Sequence, residues 1–159
     1  MNRVAISSDK QHKPLPGWSR SLKQYALKVL SCLGRDKWDL SILLCGDKTI
    51  SALNSQYRGK DEATDVLSFS MGDGDLFPSG GAARRLVPGD IVISLDSLKE
   101  NARSFGISED EELRRLLIHG ILHLDGMDHK TNRKTEAMLQ VQERILAELA
   151  QEHIVGRNI

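Results

Sequence analysis

The stretch LIHGILHLDGMDHK, Leu117 to Lys130, holds three of the chain's five histidines. His119 and His123 are four positions apart, so on a helix they leave the same face one turn from each other. Gly126 follows where a glycine in the left-handed conformation can end a helix and turn the chain back. His129 comes three positions beyond that turn. The segment is therefore constrained to be a helix that stops abruptly and returns. A lone histidine on an apolar helix face is ordinarily a hydrogen-bonded core residue, and pairs at this spacing arise by chance. A third histidine after a correctly placed glycine tips the balance to a metal site. Three imidazoles and one open position is the pattern of a catalytic metal centre, not of a closed structural one.

The spacing H-x3-H-x2-G-x2-H matches the metzincin motif with one omission. Metzincins place a glutamate general base directly after the first histidine, where this chain has Gly120. Losing a positioned base costs about 10²–10⁴-fold in rate, which weighs against peptide hydrolysis by that route. Three neutral histidines can still bring the pKa of a bound water to around 7. Asp125 and Asp128 are the nearby carboxylates. Both read as turn residues, or in the case of Asp128 as a group orienting His129, in preference to a replacement base.

Outside this stretch the chain reads as one globular domain spanning residues 1–159. Lysine plus arginine and aspartate plus glutamate are both 22, so overall charge gives no push toward nucleic acid or membrane. No run of eighteen apolar residues and no signal-peptide core appear, which predicts a cytoplasmic protein without a membrane segment. Cys32 and Cys45 fall in a helix and a strand and are read as buried free thiols. His12 and His153 stand alone and are read as surface residues. Val4 to Ser8, Trp38 to Cys45, Ala63 to Phe69 and Gly89 to Asp96 read as strands. A helix from Trp18 is marked by Leu22, Tyr25, Val29 and Leu33 and stops at Gly34. A second, with Asp47 as N-cap, carries Ile50, Leu53 and Tyr57 on one face. Leu98 to Phe105 suits a short helix. Ser108 and Glu111 form a capping box opening the histidine helix, and Met138, Val141, Ile145 and Leu149 mark a last one. Met71 to Pro88, rich in glycine and proline, reads as a long mobile loop. The order predicts an α+β fold with a small sheet packed against helices.

HGILHLDGMDH, His119 to His129, resembles the signature H-G-x-L-H-L-x-G-x-D-H of the YbeY-type bacterial endoribonucleases linked to ribosomal RNA maturation. LNSQYRGKDEATDVLSF, Leu53 to Phe69, resembles that family's second signature, and GDIVIS, Gly89 to Ser94, its third. Together these span roughly Leu40 to Leu149. Ser70 stands where the family usually has proline, and Met127 where it has tyrosine; neither position bears a ligand. The resemblance implies a small mixed sheet packed against helices with the metal site in a cleft. It implies that His119, His123 and His129 bind zinc or a similar divalent ion, and that Arg58 is the functional arginine. On ligand type alone, nickel, copper or iron would suit three histidines as well as zinc. The implied activity is single-strand-specific, metal-dependent endoribonuclease action on RNA, in maturation of the 16S rRNA 3′ end and in ribosome quality control. The implied partners are the ribosome or its small subunit and assembly factors. The alternatives are a non-catalytic ribosome assembly factor with a structural metal and a metzincin-like peptidase or amidase. Oligomeric state is left open.

By its own chemistry Arg58 suits that role, because a guanidinium at the turn YRGK can clamp a phosphate through two parallel hydrogen bonds and offset developing charge. Taken alone it would be an ordinary arginine favoured at a helix C-terminus. Lys60, Arg84, Arg85, Lys130, Arg133 and Lys134 are further candidates for a phosphate-facing surface, each individually more ordinary as a solvated charge. Tyr57, at helical spacing from Ile50 and Leu53, is read as core in preference to a base-stacking residue. Thr64, Asp65 and Ser68 are read as solvent-facing strand residues.

Overall fold

Three apolar strands of this chain run parallel and two pair antiparallel, giving one mixed sheet. The computed structural model describes residues 1–71, 76–78 and 84–156. Along the chain come β1 (Arg3–Ser8), α1 (Ser19–Cys32), β2 (Trp38–Cys45), α2 (Asp47–Arg58), β3 (Val66–Ser70), β4 (Leu76–Pro78), β5 (Arg84–Ser94), α3 (Leu95–Phe105), α4 (Glu109–Leu124) and α5 (Ala137–Glu148). The strand order is β1-β2-β5-β3, with β4 also on β5. β1, β2 and β5 are parallel, while β3 and β4 run antiparallel to β5. This is the α+β fold that the order of elements predicts, with the small mixed sheet that the resemblance implies.

Strand alternation divides the core. Leu40, Ile42 and Leu44 of β2 and Ile91 and Ile93 of β5 face a helical layer built from α1, α4 and α5. Leu113, Leu117, Ile118 and Ile121 of α4 are fully buried there. The residues between, Cys45 of β2 and Val92 of β5, face the other way. They meet Ile50 of α2 and Leu67 of β3 in a smaller cluster, with the partly buried Leu43, Leu53 and Phe69 packed against it. One face of the sheet is thus broadly covered and the other only in part, by α2.

Several boundaries differ from expectation. Gly46, not Asp47, is the N-cap of α2, and the Asp47 carboxylate instead accepts hydroxyl bonds from Ser94 and Ser97, both at 2.6 Å. Ser94 caps α3, so that helix begins at Leu95 and shortens the preceding strand. β3 begins at Val66 because the Asp65 carboxylate accepts the Val66 N–H at 2.8 Å and so ends the turn before it. The expected loop from Met71 is in part strand: β4 pairs with Arg84–Leu86 at the start of β5. Residues 72–75 and 79–83 of that loop lie outside the described residues. Both cysteines are free, but only Cys45 is buried; Cys32 is exposed. His12 is half-buried, its Nδ1 2.5 Å from Asp9. No described helix is long and apolar enough to cross a membrane.

Candidate metal centre and its cleft

α4 starts where expected, with Ser108 Oγ accepting the Glu111 N–H at 3.0 Å. The Glu111 carboxylate does not complete a reciprocal box; it holds Arg115 at 3.0 Å. Four acidic residues in the first turn complement the helix dipole. At the other end Gly126 adopts φ +94, and the Met127 N–H donates back to the Leu122 carbonyl at 3.0 Å. Arg35 from the turn after α1 grips the Asp125 carboxylate at 2.7 and 3.0 Å, pinning this turn to a distant part of the chain. Asp125 is therefore a structural anchor. Asp128 Oδ1 accepts the His129 N–H at 2.8 Å, a turn contact as expected.

The turn brings His129 back onto the helix pair. Ring centroids lie 4.6 Å apart for His119 and His123, 5.1 Å for His119 and His129, and 5.7 Å for His123 and His129. One ligand atom from each falls within 4.8 Å of the others, and no fourth histidine, cysteine or carboxylate joins them among the described residues. All three rings are half-buried.

Hydrogen bonding sets which nitrogen is bare. Nδ1 of His123 lies 3.1 Å from the Met127 carbonyl, and Nδ1 of His129 lies 2.9 Å from the Thr131 carbonyl. Carbonyls only accept, so both Nδ1 atoms carry the proton. Nδ1 of His119 lies 2.7 Å from Oε1 of Gln142 and donates in the same way. In the neutral, ligating form of the rings the three Nε2 atoms are then the bare acceptors. Those of His119 and His123 face each other at 3.1 Å with no proton between them. Two lone pairs at that separation repel unless a cation lies between them, so the donor set fits a bound divalent metal. Burial pulls the His119 and His123 pKa values below the ordinary 6.5, which favours the neutral, ligating form.

Arg58 ends α2, just before Gly59 turns the chain in the left-handed region. Its Nη2 donates to the Ser68 carbonyl of β3 at 2.6 Å, and its guanidinium carbon lies 5.6 Å from the Phe69 ring centroid. These contacts hold the side chain while leaving its other N–H groups without a partner among the described residues. Arg58 and all three histidines line one cleft of about 880 Å³, together with Lys60, Thr64, Asp65 and Ser68. Ser68 and Asp65 are more than solvent-facing strand residues. The Ser68 hydroxyl donates to the Gly120 carbonyl at 3.1 Å, and the Asp65 carboxylate receives Asn101 at 2.9 Å.

Other candidates lie elsewhere. Arg85 is only 7% exposed and spends its donors on Asp39 and on the carbonyls of Met1 and Trp38. Lys130, Arg133 and Lys134 are exposed outside the cleft lining, and the Arg84 side chain lies outside the described residues. Tyr57 is not core but 63% exposed. Gly120 is small for a packing reason: a Cβ there would meet Ile91 side-chain atoms at 3.0 to 3.3 Å. A metzincin glutamate at this position would run into β5, so the geometry disfavours the peptidase alternative. Sequence reasoning missed Gln142. Its one signal is its place on α5, four residues after Met138 and three before Ile145, a polar residue on the buried stripe.

Comparison with known proteins agrees with this site. The family model described as Endoribonuclease YbeY matches residues 5–150. The chain is 49% identical over 125 residues to the endoribonuclease YbeY of Treponema denticola, covering 79% of each protein. It is 44% identical over 148 residues to that of Treponema pallidum, covering 93% of this chain and 90% of the relative. The solution structure of TM1509 from Thermotoga maritima superposes with a TM-score of 0.56 at 29% identity, covering 95% of this chain and 93% of that one. With the matched segment running from β1 past the histidine turn and through α5, the chain belongs to the endoribonuclease YbeY family.

Proposed function

We propose that this protein is a metal-dependent endoribonuclease acting on single-stranded RNA, folded as one domain over residues 1–159. The observation that carries the reading is that Arg58 and the three converging histidines line the same cleft. His119, His123 and His129 would hold the ion through Nε2, with zinc the first choice and other divalent transition metals compatible with the donors. When bound, the ion supplies Lewis acidity toward a phosphoryl oxygen and a lowered pKa for an attacking water. Arg58, braced by the Ser68 carbonyl, directs its remaining N–H groups at a phosphate and offsets charge as the phosphorus is attacked. Lys60 adds a second positive charge on the same wall. Membership of the family supports a setting in ribosomal RNA maturation at the 16S 3′ end and in ribosome quality control. Partners there would be the small subunit and assembly factors, in the cytoplasm.

The test is cleavage of end-labelled single-stranded RNA by wild type, Arg58→Ala and His123→Ala, with metal content measured on each. Wild type should cut, and Arg58→Ala should keep its metal but lose about 10²–10³-fold in rate, as for removal of one transition-state donor. His123→Ala should lose both metal and activity. Equal cutting by all three would point to a contaminating nuclease and favour the assembly-factor reading.

A further inference from the structure

Tyr57 turns its ring away from the core and stands edge-on to Phe69, the ring centroids 5.4 Å apart. Both rings line a groove of about 710 Å³ on the sheet face that α2 only partly covers. Leu43 and Val92 also line it, as does Met71, itself 45% exposed. Grouped exposure of large apolar side chains marks a contact surface. The groove and the metal cleft meet at Ser70, which lines both, at the end of strand β3 on the sheet's edge. Arg58 stands at this junction, with its guanidinium and the Tyr57 ring both against the same Phe69 ring.

Charge divides the two depressions. Among the described residues, those lining the groove include no lysine or arginine; their polar groups are the Asp90 carboxylate and the hydroxyls of Ser7, Ser41, Ser70 and Tyr57 itself. A phosphodiester finds no cation among these described residues, whereas a neutral base finds an aromatic face and polar edges. The cations Arg58 and Lys60 are on the cleft side. We propose that Tyr57 is the stacking platform for one unpaired base of the RNA, that of a nucleotide adjoining the phosphate held by Arg58. This rests on the endoribonuclease reading above. It also gives that reading a source of single-strand preference, since a base stacked within a duplex is not free to enter the groove.

The test is steady-state cleavage of a short end-labelled single-stranded RNA, repeated with one abasic ribose moved through the sequence. Tyr57→Ala should raise KM roughly tenfold with kcat little changed, the scale of losing one base–aromatic stack. Tyr57→Phe and Tyr57→Trp should behave as wild type, because stacking needs the ring and not the hydroxyl. One abasic position should cost wild type the same factor and cost Tyr57→Ala nothing further. An unchanged KM in Tyr57→Ala, a Tyr57→Phe as impaired as Tyr57→Ala, or abasic costs equal in both proteins would overturn the proposal. Wild type that cuts no RNA would sink the endoribonuclease reading itself, whereas wild type and Tyr57→Ala cutting alike sinks only the stacking role.

Discussion

Oε1 of Gln142 accepts from Nδ1 of His119 at 2.7 Å, and the direction of that bond is settled at the other end of the amide. Nε2 of Gln142 donates to Glu143 Oε2 at 3.2 Å. The Arg115 guanidinium, bonded to Glu143 at 3.0 and 3.1 Å, holds that carboxyl below its ordinary value, so it is ionised and only accepts. The amide therefore cannot flip, and His119 presents its bare Nε2 to the site. Gln142→Leu, close in volume at a buried position, should weaken zinc affinity about 10–100-fold while the protein stays folded. Competition against a chromophoric chelator measures this. Wild-type affinity in that variant would show that packing alone orients His119.

Glu112 lies seven residues before His119, only 3% exposed, and its Oε2 has no hydrogen-bond partner among the described residues. Burial, and then the charge of Asp65, push its carboxyl above the ordinary 4.5. The folded state thus holds this proton more tightly than the unfolded chain does. The stability it contributes is complete below about pH 4.5 and is lost as pH rises through the raised folded value. Glu112→Gln should therefore gain stability relative to wild type as pH rises from acid to neutral, because the amide has no proton to lose. That relative gain should be absent below about pH 4.5, where both states of wild type hold the proton. Denaturant melts at several pH values decide it, and a gain independent of pH would contradict the assignment.

Gly120→Ala tests the close approach of α4 to β5. In an open helix the change would stabilise by about 1 kcal/mol. Here the new methyl meets Ile91, itself fully buried, at 3.0 Å. Overpacking of this kind costs about 1–3 kcal/mol, so a net loss of stability is expected. A raised melting temperature would show that Ile91 can move aside.

Asp125→Ala separates an anchor from a base. Losing the Arg35 pair should lower stability by about 0.5–1 kcal/mol, with cleavage per bound metal unchanged. A fall of about 10²–10⁴-fold in that rate would instead identify Asp125 as a general base.

What was legible in the sequence is what local periodicity and capping govern. The i, i+4 histidines had to share a face because the helical repeat puts them there. Ser108 and Gly126 marked the ends of α4 because cap and left-handed turn are properties of a few consecutive residues. The apolar run Trp38 to Cys45 likewise announced a strand at the bounds that β2 has. What the tertiary structure decided is which distant groups meet. Arg58 reaches the metal cleft because β3, ten residues on, offers the Ser68 carbonyl at its edge. Gln142 orients His119 from a different helix, 23 residues away. Arg85 is lost to the phosphate-facing surface because β2 supplies Asp39 and the Trp38 carbonyl beside it. Tyr57 keeps the helical spacing of a core residue, yet the sheet face beside it is left uncovered and the ring stays in solvent. An apolar pattern states which face of an element seeks cover. Whether a neighbour arrives to provide it depends on how the elements pack, and no window along the chain contains that information.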